Sequence, residues 1–226
     1  MSEKKIKYLI KIQAESDFQK KLINKGELYS NCAKYYRNRY EANNKQGDIL
    51  EHSLRGSRAG VNLLNAMFCM SYIEHKDIID NKIILPKEMF EGFVDGNLYI
   101  TLFNYEKFKE KVLNYCKNSN ISVWSGVVSY GNPDKQFLQE NYNIENIYKF
   151  MFIKSKEYEA QKEYRFVFDE QCEIEYKQEL IDGKIMNVED KIKAFVPCIG
   201  DLNDISQSFS FKLNDNDKEI ILTVNS

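Results

Sequence analysis

The segment Tyr158–Phe168, YEAQKEYRFVF, alternates polar and aromatic side chains. Alternation with a period of two predicts a β-strand, because successive side chains of a strand point to opposite faces of its sheet. One face would carry Gln161, Glu163 and Arg165, spaced about 7 Å apart along the strand. The other face would bury three aromatic rings in a core, those of Tyr164, Phe166 and Phe168. The polar face is therefore either a salt-bridged surface ladder or the floor of a polar cleft.

The N-terminal residues predict a compact unit of strand, helix and strand. Isoleucines alternate with lysines through Tyr8–Gln13, which indicates a strand. Glu15–Lys25 carries an apolar stripe at helical spacing, and Gly26 follows it as a C-terminal stop. A second strand is expected over Glu27–Asn31.

The clearest helix of the chain is Asn104–Lys117, for which Asn104 is a good N-cap residue. Apolar patterning predicts strands within residues 63–73 and over Ile121–Tyr130, and a further helix over Gln136–Tyr158. Short strands separated by Asp, Asn and Gly turns are expected from Glu173 to the end of the sequence.

These elements predict an α+β fold, a single domain over residues 1–226 with a mixed or antiparallel sheet and flanking helices. Its C-terminal part, residues 173–226, is expected to be rich in β-structure. Residues 34–60 are polar and glycine-containing, and they form a long excursion between the predicted strands. Excursions of this length in a compact domain are usually functional or disordered.

Histidine and cysteine usage disfavours several kinds of chemistry. The chain has two histidines and five cysteines, none of them in a CxxC pair. Disulfide frameworks, zinc sites and Cys/His or Ser/His/Asp catalysis depend on these residue types, so no metal is expected. The N-terminus lacks the apolar stretch of a signal peptide, and no segment is apolar for long enough to span a bilayer. We therefore expect a soluble cytoplasmic protein without membrane contact.

Charge is distributed unevenly along the chain. Residues 1–60 carry 13 Lys+Arg against 7 Asp+Glu, whereas the remainder carries 19 against 27. A basic N-terminal third fits a phosphate-bearing ligand or an acidic partner, and it equally fits an ordinary solvated face.

Within this basic third, the stretch NCAKYYRNRY interleaves tyrosines with Lys and Arg. Such a pattern suits stacking on bases with contacts to phosphates, or a helix that packs its tyrosines on a sheet. The candidate residues for binding a partner protein or nucleic acid are Tyr36, Arg37, Arg39, Arg55 and Arg58.

Carboxylate chemistry remains, and Glu163 is the strongest candidate for it. Held between Gln161 and Arg165, Glu163 could hydrogen-bond a ribose hydroxyl or stabilise a developing oxocarbenium ion, as carboxylates do in glycosyl transfer. The alternative is that Glu163 pairs with Arg165 or a nearby lysine and only stabilises the sheet.

Two sets of motifs resemble known families. The pattern YLIKIQ…FQKKLINKGELYSN resembles the opening of the ADP-ribosyltransferase fold. Gln161-Lys162-Glu163 is similar to the Gln/Glu-x-Glu strand motif that holds the catalytic glutamate in many of those enzymes. The order FQKKLINKGELYSN…FCMSY…SGVVSY…QKEYRF also resembles a broad bacterial family that includes abortive-infection proteins of phage defence. Together the resemblances touch most of residues 6–168.

The transferase resemblance implies an ADP-ribosyltransferase-like fold with NAD as its cofactor. It implies that Glu163 is the catalytic carboxylate and that Gln161 contacts the ribose or the acceptor. Ser71 would correspond to the serine that supports the nicotinamide pocket.

The same resemblance implies that Lys7, Tyr8 and Arg165 contribute to cofactor binding. The first strand of the family normally supplies an Arg or His that grips the dinucleotide, whereas this strand offers Lys7, Tyr8 and Lys11. A lysine holds a pyrophosphate as a point charge, without the bidentate geometry of arginine.

Two functional hypotheses follow. In the first, the chain is an ADP-ribosyltransferase-like protein of phage–host conflict that uses NAD to modify a macromolecule. In the second, it is a non-catalytic phage-defence or phage-encoded counter-defence protein. That protein would bind a partner protein or nucleic acid through its basic N-terminal third, and Glu163 would be structural.

Overall fold

The computed structural model of the chain describes residues 5–35, 64–90, 96–131, 144–181, 184–213 and 217–224. The predicted excursion falls largely on residues 36–63, which lie outside these ranges. The α-helices and strands discussed below are β1 (Ile6–Gln13), α1 (Ser16–Lys25), β2 (Asn31–Cys32), β3 (Asn65–Glu74), β4 (Ile78–Ile79), β5 (Lys82–Pro86), β6 (Asn97–Asn104), α2 (Tyr105–Asn118), β7 (Val123–Val127), β8 (Ser129–Tyr130), β9 (Ile153–Lys154), β10 (Glu163–Gln171), β11 (Glu173–Ile181), β12 (Lys184–Lys193), β13 (Ser206–Lys212) and β14 (Glu219–Thr223).

One large sheet organises the described part of the chain. Its strand order is β13-β6-β1-β3-β10-β7, and β2 pairs with β3 outside this path. All of these pairings are antiparallel. β14, β5 and β4 form a three-stranded sheet, β11 and β12 form a long hairpin, and β8 pairs with β9 in parallel. The prediction of mixed helix and sheet with antiparallel pairing is confirmed at this level.

The N-terminal unit follows its prediction as far as the end of α1. Gly26 ends the helix in the left-handed conformation, with φ of 62°, and its N–H donates to the Leu22 carbonyl at 2.9 Å. The expected second strand is largely replaced by isolated bridges to the C-terminal region. The N–H of Leu28 donates to the carbonyl of Pro197, and only β2 pairs with the main sheet.

Helix α2 begins where its sequence predicts. The Asn104 side chain accepts a hydrogen bond from the Lys107 N–H at 3.1 Å, so Asn104 is the N-cap. The apolar stripe of the helix, Phe108, Val112 and Cys116, is buried against the main sheet. The start of the helix is thus fixed by local chemistry, and its orientation is fixed by packing.

The predicted helix over residues 136–158 is interrupted in its described part, and its helical pieces are of the 3₁₀ type. Ile144–Phe152 is a 3₁₀ helix, which is followed by the short strand β9 and by Ser155, whose φ of −58° and ψ of 143° are not helical. β9 pairs in parallel with β8, and this tertiary pairing takes the backbone groups that a continuing helix would use. Residues 132–143 lie outside the described ranges.

The strand predicted over Tyr158–Phe168 begins only at Glu163. Lys156–Gln161 is a 3₁₀ helix, and Lys162 ends it in the left-handed conformation with φ of 44°. The reversal at Lys162 sets the direction in which the chain enters β10. The sequence pattern predicted that strand alternation places Gln161 on the same face as Glu163. Gln161 lies in the 3₁₀ helix instead, so strand alternation does not position its side chain.

Apolar clusters cover both faces of the main sheet. The helix-side core packs α1 and α2 on one face and is built around Phe68, Phe103, Phe108 and Phe166. On the opposite face, one cluster lies against the three-stranded sheet and another lies against the 3₁₀ helix Ile144–Phe152. No helix in the described residues is long and apolar enough to cross a membrane.

Candidate functional site

Glu163 and Arg165 lie on the face of the main sheet that points away from α1 and α2. Glu163 pairs with Ser71 of β3, and Arg165 pairs with Cys69. Both charged residues are buried, Glu163 with 6% and Arg165 with 0% of its surface exposed. The shared face of Glu163 and Arg165 is as predicted, but the site lies within the fold and is no surface ladder.

A dense set of hydrogen bonds satisfies the buried carboxylate. Arg165 donates from Nε to Oε1 of Glu163 at 3.0 Å and from Nη2 to Oε2 at 3.1 Å. The remaining guanidinium nitrogen, Nη1, donates to the Met151 carbonyl at 2.6 Å. Lys154, which is 8% exposed, donates to Glu163 Oε2 at 3.2 Å and to Gln161 Oε1 at 3.0 Å. Lys154 thereby bridges the Gln161 amide and the Glu163 carboxylate, which belong to the same Gln-x-Glu motif of the sequence.

The charges around Glu163 keep it ionised. Burial alone would raise the pKa of the Glu163 carboxyl, but the nearby positive charges of Arg165 and Lys154 outweigh burial. Hydrogen bonds from Arg165 and from the Cys69 thiol act in the same direction, so the pKa lies well below its ordinary value. A carboxylate in this setting accepts hydrogen bonds at neutral pH and does not act as a general acid.

The side chain of Tyr130 also contacts the site, through the backbone of Glu163. The Glu163 N–H donates to the Tyr130 hydroxyl oxygen at 2.6 Å. Burial raises the pKa of Tyr130, and the negative charge of Glu163 raises it further, so the phenol stays protonated. Tyr130 lies in β8, so the pairing of β8 with β9 brings Tyr130 and Lys154 to Glu163 together.

A small cavity opens beside the carboxylate. Its volume is about 150 Å³, and Gln161, Glu163 and Ser71 line it together with Met89 and residues 10–12 of β1. Three residues for which the transferase resemblance implies roles thus converge on one cavity. Arg165 is not among the lining residues and contacts the cavity only through Glu163.

The expected cofactor residues of the first strand lie elsewhere. Lys7 lines a separate and larger cleft, of about 810 Å³, to which Tyr164 also contributes. Tyr164 and Glu163 are consecutive in β10, so their side chains lie on opposite faces of the sheet. Tyr8 packs against the cluster under the three-stranded sheet. The structure therefore does not bring Lys7 or Tyr8 to the Glu163 cavity.

Lys11 has an unusual environment on the same strand. Its ammonium group donates to the Cys69 carbonyl at 2.7 Å and lies 4.6 Å from the centroid of the Phe68 ring. Burial lowers the pKa of Lys11, and the negative charge of Glu163 offsets part of this effect. Lys11 also lines the small cavity together with Glu163, so its positive charge lies near the carboxylate.

Sequence reasoning missed Lys154 and Tyr130 because both lie in segments whose pairing is not local. Lys154 lies inside the predicted helix, and the apolar pattern predicts Tyr130 only as the last residue of a strand. The expected partner-binding residues cannot be compared, since they all fall outside the described ranges: Tyr36, Arg37, Arg39, Arg55 and Arg58. Among the described residues, no group of three or more His, Cys, Asp or Glu side chains is placed to hold a metal ion.

No family of known proteins, no curated protein and no solved structure matches this chain.

Proposed function

We propose that this chain is an ADP-ribosyltransferase-like protein of phage–host conflict that uses NAD to modify a macromolecule. The supporting observation is the convergence of Gln161, Glu163 and Ser71 on one cavity. Those residues come from β10, from the 3₁₀ helix before it and from β3, and each has an implied role in the transferase resemblance. Motif resemblance and spatial proximity are separate observations, and here they select the same side chains.

The reaction centre would be the ionised carboxylate of Glu163. Its acceptor oxygens could take a hydrogen bond from a ribose hydroxyl and oppose the positive charge that develops as the bond to nicotinamide breaks. A hydroxyl is a stronger donor than a thiol, so a ribose hydroxyl would replace Cys69 at the carboxylate. Gln161 would contribute amide hydrogen bonds to the ribose or to the acceptor.

The size of the cavity limits what it can hold. Pockets that enclose a drug-sized ligand measure roughly 300–1,000 Å³, whereas this one measures about 150 Å³. It would take one ring or sugar of NAD, and the remainder of the dinucleotide would lie outside it. Ser71 lies directly across from Glu163 on β3, where it could contact the enclosed part.

Transfer of label from NAD to proteins of a bacterial lysate tests the proposal. Wild type and Glu170→Gln should both transfer label, and Glu163→Gln should not. Glu170 is the matched control, because it lies on the same strand, carries the same charge and is exposed. Gln161→Ala serves as a second variant that removes a cavity side chain without unpairing Arg165, and it should reduce transfer.

Absence of label transfer by wild type, together with no heat of NAD binding in calorimetry, would contradict the proposal. Equal transfer by wild type and by a folded Glu163→Gln variant would also contradict it. Circular dichroism of each variant establishes that a lost activity does not reflect a lost fold.

One specific observation favours the second function, a non-catalytic protein that binds a partner protein or nucleic acid. Two cations, Arg165 and Lys154, contact the single carboxylate of Glu163. Their excess positive charge would disfavour a developing oxocarbenium ion, and the hydrogen bonds of Glu163 are already satisfied within the protein. In this alternative, Glu163→Gln lowers stability but leaves the affinity for a purified, stoichiometric partner unchanged.

A further inference from the structure

We propose that the cleft lined by Lys7 and Tyr164 is a binding site for a phosphate-bearing nucleotide. This cleft lies at the end of the main sheet where β1 begins and α2 starts, and it is distinct from the Glu163 cavity. Its volume of about 810 Å³ falls within the range of pockets that enclose a small organic ligand. The proposal does not depend on ADP-ribosyl transfer.

Positive charge dominates the polar lining of the cleft. Lys5, Lys7 and Lys109 contribute three ammonium groups against the single carboxylate of Glu106. The cleft also receives the N-terminal end of α2, where the helix dipole favours negative charge. A ligand that carries one or more phosphate groups complements this arrangement.

Lys109 is held in place before any ligand binds. Its ammonium group donates to the Tyr105 hydroxyl at 3.3 Å and lies 5.6 Å from the centroid of the Tyr105 ring. Because the side chain is already ordered by these contacts, binding would cost less rotamer entropy than it does for a fully mobile lysine.

Aromatic and aliphatic side chains line another part of the cleft. The rings of Tyr105 and Tyr164 pack edge to face with centroids 5.6 Å apart, and Ile6 and Val127 lie in the same lining. The Tyr164 hydroxyl donates to Ser125 Oγ at 3.2 Å. Burial raises the pKa of Tyr164 to about 12, so the ring carries no charge at neutral pH.

A cleft with both kinds of lining fits a nucleotide better than it fits a simple anion. The lysines would contact the phosphates, and the partly exposed Tyr105 and Val127 would pack against the flat face of a base. Inorganic phosphate would use only the first of these surfaces. A neutral nucleoside would use only the second.

The sheet separates this site from Glu163. Tyr164 contributes to the cleft and Glu163 to the small cavity, and adjacent residues of a strand face opposite sides. A nucleotide bound in the cleft would not contact the carboxylate. Lys7 would therefore bind phosphate in a second site, and not in the cavity where the transferase resemblance predicts its role.

Isothermal titration calorimetry with ATP, ADP and AMP tests the site, and adenosine and inorganic phosphate serve as the two partial probes. The wild-type chain should bind at least one nucleotide more tightly than either partial probe. Affinity should fall with added NaCl, because the lysines are partly exposed to solvent.

Lys109→Ala should weaken nucleotide binding by about tenfold, and Lys7→Ala should have a similar effect. Lys107→Ala is the matched control, because Lys107 lies on the same helix, is exposed and is absent from the lining of the cleft. A Glu163→Gln variant shown to be folded by circular dichroism should keep its nucleotide affinity, which separates this site from the proposed transferase centre.

Three outcomes would overturn the proposal. The first is that no nucleotide binds. The second is that affinity is the same for wild type and a folded Lys7→Ala/Lys109→Ala variant. The third is that inorganic phosphate binds as tightly as the nucleotides, which would exclude a role for the apolar lining. None of these results bears on label transfer from NAD.

Discussion

Arg165 and Glu163 form a two-bond ion pair along a single strand, with Nε 3.0 Å from Oε1 and Nη2 3.1 Å from Oε2. Residues two apart on a strand are separated by about 7 Å, so both side chains must bend toward each other to make this contact. The pair is buried between the apolar cluster under the three-stranded sheet and the cluster under the 3₁₀ helix. Its charges are tolerated there because each is hydrogen-bonded.

Removal of one partner of this pair should be strongly destabilising. Glu163→Gln leaves the Arg165 guanidinium buried without its counter-charge, and breaking a buried pair in this way costs about 3–5 kcal/mol. Urea unfolding at neutral pH measures the loss. Glu170→Gln, on the exposed end of the same strand, should change stability by no more than about 0.5 kcal/mol.

The double variant Glu163→Gln/Arg165→Met gives an internal control. It removes both charges, and it should recover a large part of the stability that Glu163→Gln alone loses. A double variant as unstable as the two single losses added together would show that Glu163 and Arg165 do not interact.

Stability should also decrease at acid pH because of Glu163. Its pKa in the folded chain lies below the ordinary value of 4.5, so the unfolded chain takes up the proton first as pH falls. The contribution is fully present above about pH 4.5 and is lost as the pH falls toward the lower folded pKa. One such proton gives a slope of at most about 1.4 kcal/mol per pH unit.

Unfolding curves of wild type and Glu163→Gln over this acid range test the assignment. Wild type should lose stability with decreasing pH more steeply than Glu163→Gln. Parallel pH profiles for the two proteins would mean that other carboxylates, and not Glu163, cause the acid sensitivity.

The sequence was most informative where structure is determined locally. Asn104 and Gly26 have chemistry that begins or ends a helix wherever it occurs, and both act as predicted. The helix expected over residues 136–158 is interrupted by β9, because apolar spacing cannot reveal that β9 will pair with β8. Tertiary hydrogen bonds override propensity in such segments.

The candidate site was predictable only in the part that a local pattern determines. Strand alternation places Glu163 and Arg165 on one face without any knowledge of the rest of the fold. Lys154 and Tyr130 reach the carboxylate only through the β8–β9 pair, so no local pattern indicates them. Burial of the site likewise depends on which apolar clusters cover the sheet. The spacing of apolar residues along the sequence does not specify this packing.

Gly26→Ala should destabilise the chain through both conformation and contact. The left-handed φ of 62° costs an L-residue about 1–2 kcal/mol. A Cβ at this position would also overlap the Gly200 carbonyl oxygen and would lie 2.7 Å from Ile199 Cγ1. Urea unfolding should therefore show a loss above about 2 kcal/mol. Gly96→Ala is the control, since nothing lies within 4 Å of its added Cβ, and its effect should be close to zero.

Phe108→Ala should cost about 3–5 kcal/mol, because Phe108 is fully buried at the centre of the helix-side core. Its ring centroid lies 4.9 Å from that of Phe103 and 5.8 Å from that of Phe166, so truncation leaves a cavity between α2 and the sheet. Leu113→Ala on the same helix is the control, since Leu113 is 41% exposed and should lose much less. Equal losses of stability for the two variants in urea unfolding would contradict the packing of α2 on this face of the sheet.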